Sequence, residues 1–274
     1  MAGRTARTRP AAGQLRTPAG DPRTFVPPPA IRELRDLTRY RKRLIQAHTS
    51  ECQRIQKTLE DAGIKLDSVA SDVLGVSGRA MLSALVAGER DPDVLAELAK
   101  GRLRRKLPAL RQALRGRFSE HHALLIGLCL EHTAHLEAAI ARLDERIDAV
   151  FTTHTSEVGV PFARARDRLD TITGVGKRAA ETILAEIGVD MARFPTAAHL
   201  ASWAGVAPGN NITGGKRGSG KTTHGDVWLL DILTQCAWAT AREPATPTCR
   251  PSSGGWPAGS GRKRSPSPWP TPSW

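Results

Sequence analysis

A mainly α-helical fold is predicted by three features of this 274-residue chain. Two long stretches repeat apolar residues at helical spacing, from Ala30 to about Gly63 and from about Phe118 to Val150. Hydrophobic residues make up 40% of the chain, but only one Tyr and five Phe are among them, so the core must be Leu, Ile, Val and Ala, a composition that suits helices. Between and after the long stretches, glycines, prolines and cap residues punctuate short periodic segments. The predicted architecture is a pair of long antiparallel coiled-coil helices followed by a small helical domain with a helix-hairpin-helix, between disordered termini.

Residues 1–29 hold five arginines and a Pro27 to Pro29 run, a composition that cannot bury a core, and are predicted to be a disordered basic arm. A coiled-coil and linking helical region occupies 30–158. Its first helix places Ile31, Leu34, Ile45, Cys52, Ile55, Leu59 and Ala62 on a heptad-like stripe interrupted by Thr38, Arg41 and His48. Its second places Leu125, Cys129, His132, Leu136, Ala139, Leu143 and Val150 at the same spacing. Short helices lie between them, broken at Gly75, Gly78, Gly88 and Pro92, with Ser77 and Asp91 as predicted N-caps. The basic run GRLRRKLPALRQALRGR occupies 101–117 and reads either as the solvated face of a bundle helix or as a phosphate-contacting surface.

Residues 159–242 form the second helical region. The segment LDTITGVGKRAAETILAEIG sets Gly174 and Gly176 between two periodic segments, with Lys177 and Arg178 opening the second. Backbone amides, a helix N-terminus and two cations then converge on one phosphate, which is the logic of a helix-hairpin-helix. A short helix from Thr196 to Ala204, a glycine-rich loop carrying Thr213, Lys216, Arg217 and Lys221, and an amphipathic helix from Asp226 to Arg242 complete it. Trp203, Trp228 and Trp238 sit at apolar phases and are predicted to pack in its core. From Glu243 to Trp274 eight prolines, six serines and four glycines fill more than half of 32 positions, so no core forms there; a reading-frame change and a natural disordered tail both account for it.

Forty Lys and Arg against 27 Asp and Glu give a net charge of +13, which favours a polyanionic partner. Cys52, Cys129, Cys236 and Cys249 lack CxxC spacing and read as reduced thiols, and His48, His121, His122 and His132 fall at helical spacings that suit interfaces rather than metal ligands. No metal site is predicted. The longest apolar run, Ala123 to Leu130, is too short for a bilayer and the Arg-rich N-terminus has no apolar leader, so a cytoplasmic, nucleoid-associated protein without membrane contact is expected. Gly215 to Thr222, GKRGSGKT, fits a phosphate-binding loop letter for letter. That loop needs a buried strand feeding it, and the preceding GVAPGNNITG offers none, while VWLLDI downstream reads as helix. A P-loop nucleotide-binding protein is therefore the weakest of the readings.

The segment LDTITGVGKRAAETILAEIGVDMARFPTAAHLASWAGVAPGNN, followed by TGGKRGSGKT, resembles the C-terminal transposase domain of the insertion-sequence-110 family, the DEDD-type transposases related to the Piv DNA invertase. FVPPPAIRELRDLTRYRKRLI and LEDAGIKLDSVASDVLGVSGRAML resemble the same family's coiled-coil and linking region, so the likeness runs from about Thr24 to Arg242. The resemblance implies a transposase that acts on DNA with a structured guide RNA. It also implies a divalent-metal-binding RuvC-like domain with four acidic residues, and a nucleophilic serine in an S-x-G-K loop. Here the matching region begins after where that acidic domain belongs, and Thr213 stands at the serine position. The methyl group of Thr213 restricts χ1 and crowds in-line attack. The expected function is that of a DNA-binding transposase fragment lacking the metal-binding catalytic domain, with no cofactor of its own. It forms a homo-oligomer or pairs with a full-length transposase through the coiled coil. The alternative is a non-catalytic helical interaction protein that modulates such a transposase.

Overall fold

The computed structural model describes residues 27–157, 159–207, 212–217, 222 and 224–242. The predicted arm up to residue 26, the tail from 243, Lys221 and Cys249 lie outside the described residues. The order of elements is α1 (Pro29–Asp61), α2 (Val76–Val86), α3 (Pro92–Glu97), α4 (Leu107–Ala113), α5 (Glu120–Thr153), α6 (Phe162–Asp170), α7 (Lys177–Ile187), α8 (Ala197–Ala204), β1 (Ile212–Thr213), β2 (Lys216–Arg217) and α9 (Val227–Arg242). The fold is mainly α, as the periodicity predicts.

The long helices start and stop where their caps dictate. Pro29 opens α1 with its φ already helical and no N–H to leave unpaired, and Gly63, at φ 78°, ends it just past the C-cap. Ser119 caps α5, its own N–H donating to His122 Nδ1 at 3.1 Å. The two helices run antiparallel: Glu33 meets Arg146, Arg41 meets Asp144, His48 meets Glu137 and Glu51 meets His132. His48 and His132 are thus interfacial, each on a carboxylate of the facing helix at 3.1 and 3.2 Å.

The buried face of α5 differs from the predicted stripe. Ile126, Thr133, Leu136, Ile147, Val150 and Phe151 are buried, whereas Leu125 is 38% exposed and His132, at the edge of the interface, keeps half of its side chain exposed. One residue turns a helix by 100°, so the choice between Leu125 and Ile126 depends on a neighbour. Helix α2 makes that choice by packing where Gly127 lies opposite Val86. By length and composition α5 is also apolar enough to cross a membrane, a property it shares with core helices of soluble proteins.

Among the described residues, three hydrophobic clusters run along the chain. The first joins the end of α1 (Ile55, Leu59) to the linking helices through Leu82, Leu85, Leu95 and Leu110, and to Ile126 of α5. The second joins the start of α1 (Ile31, Leu34) to the end of α5 (Ile147, Phe151) and to Phe162, Leu184 and Ala185 of α6 and α7. The third joins Ile183 and Ile187 of α7 to Ala204 of α8 and Leu229 of α9. The long pair therefore contributes to the core of α6 and α7 as well as to its own. Asp91 caps α3 as predicted, accepting from Asp93 N–H at 2.8 Å. Ser77 does not cap: α2 starts from Gly75, and Ser77 Oγ instead accepts the Lys100 N–H at 2.8 Å. Gly78 lies so close to the Val73 backbone that a side chain there has no room.

Candidate nucleic-acid interface

Helix α6 ends at Asp170, a six-residue turn comes next, and α7 begins at Lys177. Gly174 takes φ 83° and Gly176 is the N-cap of α7. The two glycines do different work. A Cβ on Gly174 would lie 2.7 Å from the Cys236 carbonyl oxygen of α9, while around Gly176 nothing lies within 4 Å. Thr240 Oγ1, on α9, donates to the Thr173 carbonyl at 2.9 Å and clamps the turn in place. Gly174 is thus a packing glycine under α9, and Gly176 leaves the start of α7 open.

The two cations at that helix start already have partners. Lys177 Nζ lies 2.7 Å from Asp148 and Arg178 reaches Asp144 at 2.7 Å, both on α5. Their side chains remain 53% and 60% exposed. The hydrogen bond from Lys177, helped by Arg166, holds the Asp148 carboxyl below the usual carboxylate range against a smaller effect of burial. In the sequence Asp144 and Asp148 carry only the signal of their i, i+4 spacing, which puts two carboxylates on one face of a helix.

Behind this surface lies a buried ion network. Arg41, 3% exposed, donates to Asp144 at 2.8 Å and to Glu181 at 2.7 Å, and Glu181 is itself buried. Glu186, with no exposed surface, accepts two hydrogen bonds from Arg39, each 2.8 Å, and Arg35 donates to the carbonyls of Ala185 and Glu186. Burial raises the Glu186 carboxyl above its ordinary value, with Arg39 and Arg35 acting the other way, and the bond to Glu186 raises Arg39. Burial dominates at Glu186 because its side chain has no contact with solvent. Arg39 and Arg43 also stack over Trp228, 5.6 and 5.8 Å from the ring centre.

Trp203 and Trp228 are half-buried, Trp203 against Phe194, but Trp238 is 65% exposed. The prediction of a core Trp238 is corrected: α9 turns Leu229, Ile232, Leu233 and Cys236 inward, and Trp238 falls outside that face. The predicted glycine-rich loop contains a small β-ribbon, with Ile212 opposite Arg217 and Thr213 opposite Lys216. Gly214 and Gly215, at φ 57° and 75°, make the turn; two central residues with positive φ suit a tight hairpin, and a Gly-Gly pair is its sequence signal. The GKRGSGKT match therefore begins in a hairpin turn, and VWLLDI lies in α9. The backbone of Thr213, Lys216 and Arg217 is thereby set in one ribbon, separate in the chain from Gly174, Gly176, Lys177 and Arg178.

No group of three or more His, Cys, Asp or Glu side chains suited to a metal occurs among the described residues. Asp144, Asp148 and Glu181, linked through Arg41 and Arg166, are each bonded to guanidinium or ammonium groups and do not fit a divalent cation. Cys52, Cys129 and Cys236 are free thiols whose pKa values burial raises.

Helices joined by a glycine turn, cations at a helix start and a glycine-turned hairpin make up this helical region. Residues 166–249 match the Transposase IS116/IS110/IS902 family, a match that takes in the glycine turn, α7, α8, the ribbon and α9. Over that segment, which is less than half of the chain, the sequence is similar to the transposases of this insertion-sequence family. Comparison with curated proteins and with solved structures gave no significant match.

Proposed function

We propose that this chain is a DNA-binding component of insertion-sequence transposition, working in the cytoplasm at the nucleoid, and that by itself it is not catalytically complete. The observation that carries this reading is the family match over residues 166–249. Gly176, Lys177 and Arg178 at the start of α7, with Lys216, Arg217 and Lys221, are the phosphate contacts; Gly174 shapes the turn that presents them. Such contacts grip backbone and are indifferent to base sequence, so a structured guide RNA is a second polyanion for the same surface. Binding replaces Asp144 and Asp148 as partners of the two cations. Thr213 holds the nucleophile position. Attack by its hydroxyl on a phosphodiester depends on charge stabilisation, and among the described residues Asp144, Asp148 and Glu181 are already bonded to cations and not placed to recruit it through a metal. The chain alone is expected to form no covalent adduct with DNA.

The test is fluorescence anisotropy with labelled duplex at a series of salt concentrations. Lys177→Ala plus Arg178→Ala should weaken binding and flatten its salt dependence by about two units of slope, with an unchanged helical circular-dichroism spectrum. Absence of binding by the unaltered chain at low salt would overturn the reading.

A second reading, a helical interaction protein that pairs with its own copies or with a full-length transposase, is favoured by one observation. Leu124 and Leu128 of α5, one helical turn apart, are 63% and 55% exposed. Size-exclusion chromatography with light scattering should then show an oligomer that Leu124→Glu plus Leu128→Glu dissociates. A monomer that does not associate with an intact transposase removes it.

A further inference from the structure

Each of the two cations at the start of α7 is held by a carboxylate that has a second, inner partner. Asp144 gives one oxygen to each side, Oδ2 lying 2.7 Å from Arg178 and Oδ1 2.8 Å from Arg41. Asp148 lies 2.7 Å from Lys177 and 3.0 Å from Arg166. Lys177 and Arg178, the outer partners, are mostly open to solvent, whereas the side chains of Arg166 and Arg41 are 19% and 4% exposed. The same order of outer cation, carboxylate and inner guanidinium therefore occurs twice, one helical turn apart on α5.

The inner guanidiniums are fixed by contacts of their own. Arg166, on α6, stacks over Phe151 at 5.4 Å from the ring centre and also faces Asp167 at 3.5 Å and the buried Glu181 at 3.9 Å. Arg41, on α1, donates to Glu181 at 2.7 Å. Both stay behind their carboxylates when the outer cations move. The outer cations are tied differently, since Lys177 and Arg178 have long side chains whose charged ends meet only those carboxylates among the described residues.

This order bears on how a phosphate is taken up. A phosphate that binds Lys177 must draw it from Asp148, and a carboxylate left without a cation resists the exchange. With Arg166 behind it, Asp148 keeps a charge-assisted hydrogen bond after Lys177 leaves. The inner charge also acts before any exchange: the attraction of Lys177 to Asp148 is opposed by the repulsion of Lys177 from Arg166, so a shared carboxylate holds its outer cation less firmly than an unshared one. We propose that Arg166, and Arg41 in the same way, are positioning residues for DNA binding, which loosen the hold of Asp148 and Asp144 on Lys177 and Arg178 and so leave those side chains ready for phosphate. This rests on the DNA-binding reading above.

The experiment is a double-mutant cycle on the full chain, with a labelled DNA duplex and anisotropy read over a salt series. Arg166 is the residue to change, because Arg41 is the nearer partner of the buried Glu181. Arg166→Gln should weaken duplex binding by about two- to fivefold, the size of a partly exposed ion pair. In the Asp148→Asn background, where no carboxylate is left to share, the same change should cost less than about 1.5-fold. The salt slope should stay the same in both, since Arg166 itself touches no phosphate, whereas a direct contact would lower it by about one. If Arg166→Gln loses helical circular dichroism, Arg166→Met, which keeps the stem over Phe151 without the charge, is read in its place. An equal loss in both backgrounds, or a lower slope, would mean that Arg166 acts by its own charge or by supporting the fold, and overturns the proposal. So does an Arg166 variant that binds like the unaltered chain while Lys177→Ala plus Arg178→Ala weakens binding; the DNA-binding reading then stands. Absence of any duplex binding by the unaltered chain defeats both.

Discussion

Gly174 and Gly176 stand two residues apart, and their substitution should separate packing from binding. At Gly174 a side chain meets both a positive φ and the backbone of α9, so Gly174→Ala is expected to destabilise the chain by about 2–4 kcal/mol in urea unfolding. Gly176 has an ordinary φ of −87° and open space around it, so Gly176→Ala should cost about 1 kcal/mol or less, as for an altered helix cap. A Gly174 variant as stable as the Gly176 variant contradicts this assignment. In the sequence both residues mark a turn that presents amides to phosphate. Their different roles were not legible there, because the residue that crowds Gly174, Thr240, is 66 positions away and arrives only when α9 folds back.

At the scale of elements, α5 is both a packing partner and a source of carboxylates for the start of α7. Asp148→Asn removes one negative partner of Lys177 and is expected to strengthen DNA binding at low salt by a few fold, an effect that shrinks as salt rises. Stability should change in a defined pH window. The folded-state pKa of Asp148 is depressed, so its contribution is fully present above about pH 4, the unfolded value, and is lost as pH falls through the lower folded value. The stability difference between the unaltered chain and Asp148→Asn should therefore narrow as thermal unfolding is repeated from pH 6 down to pH 3. A difference constant over that range argues against the pairing. Element existence was well specified by the sequence: α1, α5, α7, α8 and α9 lie within a few residues of their predicted spans, since each combines a helical stripe with a cap or a glycine stop. The β-ribbon at 212–217 was missed because its strands are two residues long and carry no alternation; only the Gly-Gly pair marks it.

For the molecule as a whole, α1 is the spine. Its C-terminal half holds the linking helices and its N-terminal half holds α6 and α7, so cores that look separate in the sequence share one helix. The joint between α1 and α7 is ionic as well as apolar: beside Ile31, Leu34, Leu184 and Ala185, the fully buried Glu186 accepts from Arg39 and lies 3.3 Å from Arg35. Glu186→Gln keeps the shape of the side chain but puts an amide against the guanidinium of Arg39, which is partly open to solvent and lies 3.6 Å from Asp226, so it should lower global stability by about 1–2 kcal/mol without changing the helical content. Unfolding monitored by circular dichroism checks this, and a loss below about 1 kcal/mol would mean that solvent reaches the joint and screens it.

The sequence by itself determined the mainly helical class, the antiparallel long pair, the positions of most helix ends and the resemblance to insertion-sequence transposases, because these depend on local propensity, period and motif. Tertiary structure alone decided which face of α5 is buried, that Trp238 stays at the surface, and that Lys177 and Arg178 face Asp148 and Asp144. Those outcomes turn on contacts between residues tens of positions apart. A helical period fixes a stripe only to within about one residue, and a charge acquires a partner only when packing brings that partner within a few ångströms.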